Sequence, residues 1–249
     1  MSIKMDTMQI HVLNNEGVNM LQTGSFIDAA IPKFRQALAF IHQGLHYGLP
    51  TKRGDSTNLS SARRQTVFTR YKTTRNDKES SASSLSSSPS KDDPFQISPH
   101  NCFQVFDAVF ATHWLHPNDS CHEPETTIIV VYNYAYAMHR NGLLRGQTQY
   151  LKKALELYDM CLALCCTSQL AGRLTVPPTL KLAALANKLF LHGHFSNHEE
   201  VQDCYRQLQN TLDYAVSTPL LDEHDLVFFL NCLVICDNYI RRGAGAPAA

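Results

Sequence analysis

Between residues 26 and 45 the apolar side chains fall at steps of three and four, at Phe26, Ala30, Phe34, Ala37, Leu38, Ile41 and Leu45, which marks one face of an α-helix. A preceding stripe, Ile10, Leu13, Gly17 and Met20, predicts a helix ending near Gly24, a residue suited to a C-terminal cap. Ser25 with Asp28 three residues later resembles a capping box for the second helix. From Glu125 onward the same period predicts further helices near 125–141, 149–168, 178–192, 198–216 and 223–240. Their breaks carry helix-stop residues: Gly142 and Gly146, Gly172 with Pro177 and Pro178, Gly193, and Pro219. Ser196 with Glu199 reads as a second capping box.

The pattern fails in two places. Residues 49–99 are rich in Ser, Thr and charge and carry too few large apolar residues to offset their ordering entropy, which predicts a disordered insertion, basic in its first half and Ser-rich in its second. In the stretch NCFQVFDAVFATHWLHP the apolar residues fit a strand or a short helix equally, so residues 100–123 stay unassigned. The expected organisation is all-α, with 1–48 and 124–249 packing as one domain around that interruption.

The two flanks superpose. Asn15, Gly17, Met20 and Gly24 fall on Asn133, Ala135, Met138 and Gly142 without a gap. Phe26, Ala30, Ile31, Phe34, Ala37 and Leu38 then fall on Tyr150, Ala154, Leu155, Tyr158, Cys161 and Leu162. A weaker third copy has Leu182, Leu185, Ala186, Leu189 and Gly193, followed by Val201, Tyr205 and Leu208. A small residue on one helix facing a large one on the next lets helix pairs approach closely and stack.

These units resemble tetratricopeptide repeats (TPR). The roles of that family's pattern fall on Gly17, Gly24, Ala30, Phe34 and Ala37 in the first unit, and on Ala135, Gly142, Ala154, Tyr158 and Cys161 in the second. The chain departs from the pattern in having no Trp at the head of a repeat and no closing Pro. The resemblance implies a short solenoid closed by a terminal helix at 223–240, with Leu226, Leu230 and Leu233 on one side. It also implies a non-catalytic scaffold or adaptor that binds a peptide or partner helix in a groove lined by the first helices. Within YNYAYAMHRNG, Tyr134 and Met138 would pack, while Asn133, Tyr136 and Arg140 would lie at the groove. Asn15 and Asn133, at one register, could hydrogen-bond an extended peptide backbone, or instead satisfy neighbouring turns. Scattered Arg140, Lys181 and Lys188 do not supply the paired cations of a carboxylate clamp.

Composition narrows the partners. Lys plus Arg and Asp plus Glu number 22 each, so no net field draws the chain to nucleic acid or anionic lipid. No apolar run reaches the roughly 20 residues a membrane span needs. The N-terminus lacks the continuous apolar stretch of a signal peptide, which predicts an intracellular protein, cytoplasmic or nuclear. The eight cysteines are scattered without a CxxC pair and read as buried thiols in a reducing compartment.

Catalytic chemistry has few candidates. The chain lacks a phosphate-binding GxxxxGK[ST], a GxSxG, an HExxH and a GxGxxG, so no enzyme and no cofactor are expected. The alternative is an enzyme or metal module built on the clusters His113 with His116, Cys121 with His122, and His192, His194 and His198. Their spacing is not that of a zinc set, and no metal is expected. The basic run SARRQTVFTRYKTTR admits RNA or an acidic partner only through the insertion. Thr66 after Arg63 and Arg64, and Ser88 and Ser98 each before Pro, are candidate phosphorylation sites.

Overall fold

The computed structural model describes residues 2–24, 26–46, 68–72, 103–112, 124–170, 177–217 and 221–244. Among the described residues the fold is all-α apart from one small sheet: α1 (Ser2–Gln22), α2 (Ile27–His46), β1 (Phe68–Lys72), β2 (Ala108–Thr112), α3 (Pro124–Arg145), α4 (Thr148–Leu170), α5 (Pro178–His194), α6 (His198–Val216) and α7 (Glu223–Ala244). The insertion does not separate its flanks in space. α1 packs on α2, α3 on α4 and α5 on α6, while α2 lies on α3 and α4 on α5. The first helix of each pair also touches the next: α1 meets α3, α3 meets α5, and α5 meets α7.

Small-against-large packing joins the pairs. Ala30, Phe34, Ala37, Ala135, Ala154 and Tyr158 are wholly buried. A Cβ on Gly17 would lie 2.6 Å from Cζ of Phe34, so only a glycine lets α1 seat on that ring. Gly17→Ala is therefore expected to destabilise the chain by roughly 1–2 kcal/mol, although alanine is the better helix former, because the packed ring has no space to retreat. A thermal melt by circular dichroism checks this; a Tm equal to or above the parent's would show that the ring yields.

Several sequence expectations are corrected. Gly142 and Gly193 do not end their helices: both lie inside the last turn, Gly142 against Leu151 and Gly193 against Phe103. The chain instead leaves α3 at Gly146 (φ 61°) and α5 at Ser196 (φ 58°), both left-handed. In each case the next amide bonds back to the carbonyl five residues earlier, Gln147 N–H to Gly142 O (3.0 Å) and Asn197 N–H to His192 O (2.9 Å), which closes the helix end. Ser196 therefore belongs to the end of α5, and the residue at the cap of α6 is Asn197, without a side-chain cap bond. Gly24, left-handed at φ 68°, does end α1. Ser25 lies outside the described residues. Phe26, at the head of the second stripe, is 59% exposed because α2 begins only at Ile27. On α7 the packed face carries Asp225, Phe229, Cys232 and Cys236, and Leu230 faces outward.

The second correction is the interruption itself. Residues 68–72, inside the segment expected to be disordered, form β1, and residues 108–112 of the unassigned stretch form β2. The two pair antiparallel, Thr69 opposite Ala111 and Tyr71 opposite Val109. Alternating Thr, Tyr and long polar residues suit such a half-covered ribbon. The rest of 49–99 lies outside the described residues, with Thr66, Ser88 and Ser98.

Candidate functional site

Residues 103–112 run as an extended chain across the faces of α1, α3 and α5, and asparagine side chains hold its backbone. In a strand, every second residue turns both its N–H and its C=O to the same edge. Here Phe106, Phe110 and Thr112 each exchange both bonds with the carboxamide of one asparagine, which offers one acceptor and two donors. Phe106 N–H donates to Asn187 Oδ1 (2.7 Å) and Phe106 O accepts from Asn187 Nδ2 (3.3 Å). Phe110 N–H donates to Asn133 Oδ1 (3.0 Å) and Phe110 O accepts from Asn133 Nδ2 (2.7 Å). Thr112 N–H donates to Asn15 Oδ1 (2.9 Å) and Thr112 O accepts from Asn15 Nδ2 (2.8 Å).

A second layer orients these amides. Asn14 accepts from Asn133 Nδ2 (2.9 Å) and donates to both Phe110 O and Asn15 Oδ1 (3.2 Å each). Asn187 Nδ2 also reaches the Tyr132 hydroxyl (3.3 Å), which in turn donates to Ala108 O (3.2 Å). Burial raises the pKa of Tyr132 and Tyr158 far above that of a free phenol, so both stay neutral donors. Val109 and Ala111 are left to face β1 on the opposite edge.

The side chains of the segment enter distinct places. Phe103 lies on Gly193, where an added Cβ would stand 2.5 Å from its ring, and meets Tyr239 edge-on at 5.4 Å. Phe106 stacks on Phe229 at 5.0 Å and meets Phe228 at 5.1 Å. Phe110 meets Tyr132 at 5.2 Å. Asp107 accepts from the Tyr136 hydroxyl (2.7 Å) and pairs with Arg140 (3.0 Å). From the outer side, the Arg70 guanidinium of β1 lies 5.0 Å over the Phe106 ring and pairs with Asp222 and Asp225 at the start of α7.

Asn15, Asn133, Tyr136 and Arg140, the groove residues expected from the sequence, thus all contact residues 103–112. The amides of Asn15 and Asn133 bond that distant backbone rather than neighbouring turns. Tyr134 is buried and Met138 half-buried in the packing beside them. Asn14, Asn187 and Asp107 were not foreseen. A lone Asn inside an apolar helix stretch, as in LAALANKLF, is the signal that marks Asn187, since a buried amide demands a partner.

The one described His cluster, His192, His194 and His198, does not converge on a common point. His192 bonds Asn197 (3.3 Å), His194 stacks on Phe190 and His198 on Tyr239. His113, His116, Cys121 and His122 lie outside the described residues. Among the described residues no group of three or more His, Cys, Asp or Glu could hold a metal ion, and no helix is long and apolar enough to cross a membrane. The Cys161 thiol is raised by its hydrogen bond with Cys165 and by burial, and burial pushes Cys204 up to about 11 and Cys232 and Cys236 up to about 12. Such thiols are protonated at neutral pH and poor nucleophiles. Comparison of the chain with models of protein families, with curated proteins and with solved structures finds no match.

Proposed function

We propose that this chain is a non-catalytic protein-recognition module of the tetratricopeptide-like kind, in which the faces of α1, α3 and α5 grip an extended peptide by its backbone. One observation carries the reading: Asn15, Asn133 and Asn187 each donate to and accept from the backbone of a single residue in an extended chain. Backbone pairing of this kind supplies affinity without regard to sequence, and the pockets alongside supply selectivity. The partner is a protein or peptide, met in the cytoplasm or nucleus, where unpaired thiols such as Cys161 and Cys204 stay reduced.

Affinity capture from native lysate tests the reading. The intact chain is compared with a variant carrying Asn15→Ala and Arg140→Ala, two half-buried positions chosen so that helicity stays equal by circular dichroism. Proteins held by the intact chain are expected to be lost from the variant. Recovery of the same proteins with both would remove recognition from this face.

A further inference from the structure

Resting on that reading, we infer that residues 103–112 are a resident ligand of this groove, exchangeable for a partner peptide of the same pattern, and that Arg70 is the clasp that keeps them in place. Three features of the segment are those of a bound peptide. Its groove-side edge is satisfied by side-chain amides from three separate helices, not by a neighbouring strand. Its aromatic side chains enter separate sites at Gly193, at Phe228 with Phe229, and at Tyr132. Its one carboxylate, Asp107, meets the hydroxyl of Tyr136 and the guanidinium of Arg140.

The occupant of the groove can be specified from these contacts. A fitting peptide is extended, has aromatic residues at its first, fourth and eighth positions, and has an acid at the fifth, as Phe103, Phe106, Asp107 and Phe110 are spaced. Charge complementarity selects the acid, because Arg140 is the cation that faces it. The sixth position stays small, since Ala108 is wholly buried against this face.

The clasp lies apart from the asparagine clamps and from the Asp107 contacts. β1 covers the outer edge of β2, and within it Arg70 pairs with Asp222 and Asp225 while lying over Phe106. A tethered ligand competes at an effective concentration of about millimolar, so an added peptide sees only the fraction of chains whose groove is open. Loosening the clasp raises that fraction and leaves Asn15, Asn133, Asn187, Tyr136 and Arg140 untouched.

The test uses the full chain and a fluorescently labelled synthetic peptide with the sequence of residues 103–112, read by anisotropy. Arg70→Ala is expected to tighten apparent peptide binding by at least about tenfold relative to the parent. Asp107→Ala, which weakens the resident ligand itself, should act in the same direction and covers the case in which Arg70→Ala loosens α7. Asp→Asn in the probe, or Arg140→Ala added to the Arg70→Ala chain, should weaken binding by about tenfold or more. Peptide binding that is unchanged in both clasp and ligand variants would overturn exchange, as would binding indifferent to the probe's acid. Dimers of the Arg70→Ala chain that excess peptide does not disperse would make a second copy the occupant and overturn the partner assignment. Failure of the peptide while lysate capture still depends on Asn15 and Arg140 would sink this inference alone and leave the recognition reading standing.

Discussion

Asn133→Ala is expected to destabilise the chain by about 3–5 kcal/mol, which for a chain of this size is a fall in Tm on the order of 10 °C. The side chain is wholly buried, and its three bonds are made inside the molecule. Its removal takes an acceptor from the buried Phe110 N–H and a donor from both Phe110 O and Asn14 Oδ1. Each buried polar group left without a partner costs about 1–3 kcal/mol, and the cavity adds to that. Phe110 O keeps the Asn14 amide, so its loss is partial. Asn15→Ala is the informative contrast. It also removes two bonds to one backbone residue, but Asn15 is only half-buried, so water replaces part of what is lost. Thermal melts of both variants read the difference, and an Asn133→Ala melt within about 2 °C of the parent's would contradict the clamp.

The same geometry explains which parts of the molecule could be read from its sequence. Helices whose one face is buried show a period of three to four, so α2, α4 and α6 stand out and their ends fall near Gly24, Gly146 and Pro219. α3 and α5 are buried nearly all round, from Ile128 to Ala137 and from Leu182 to Leu189, so the sequence marks them as helices without showing which face meets which neighbour. The Gly142 case shows why boundaries shifted: its missing Cβ serves contact with Leu151, not a turn, and a sequence shows the glycine without showing the use.

Residues 103–112 were ambiguous for a related reason. Every residue of β2 from Ala108 to Thr112 is buried, so alternation disappears and a continuous apolar run is left. Its pairing partner sits in a Ser- and Thr-rich segment whose composition argues for disorder, and the five residues from Phe68 to Lys72 do not outweigh that composition. The repeated Asn15 and Asn133 were visible because the helices that carry them recur. What they hold was not, since Asn187 and Phe106 lie 81 residues apart and Asn15 and Thr112 lie 97 apart.

Acid is expected to destabilise the chain through His139 by about 3 kcal/mol between pH 7 and pH 4, beyond what its carboxylates contribute. His139 is wholly buried in α3, with Nδ1 3.4 Å from the Tyr158 hydroxyl, its ring against Phe190, and Nε2 without a hydrogen-bond partner. Burial, with the nearby charges of Arg140 and His194, lowers its pKa from 6.5 to about 3. The folded value lies below the unfolded one, so between them the unfolded chain binds the extra proton. Stability from the neutral ring is therefore complete above about pH 6.5 and falls by about 1.4 kcal/mol per unit as pH drops toward 3. His192, lowered by burial and by Lys188, adds a loss of the same sign. His139→Gln keeps an amide beside Tyr158 and removes the titration, while His192 and the carboxylates remain in both chains. Urea unfolding at pH 7 and pH 4 should then show the parent losing about 3 kcal/mol more than the variant. Equal losses would mean that the ring is protonated in the folded chain, which would require water at Nε2 and so an opening between α3 and α5 beneath the clamped strand.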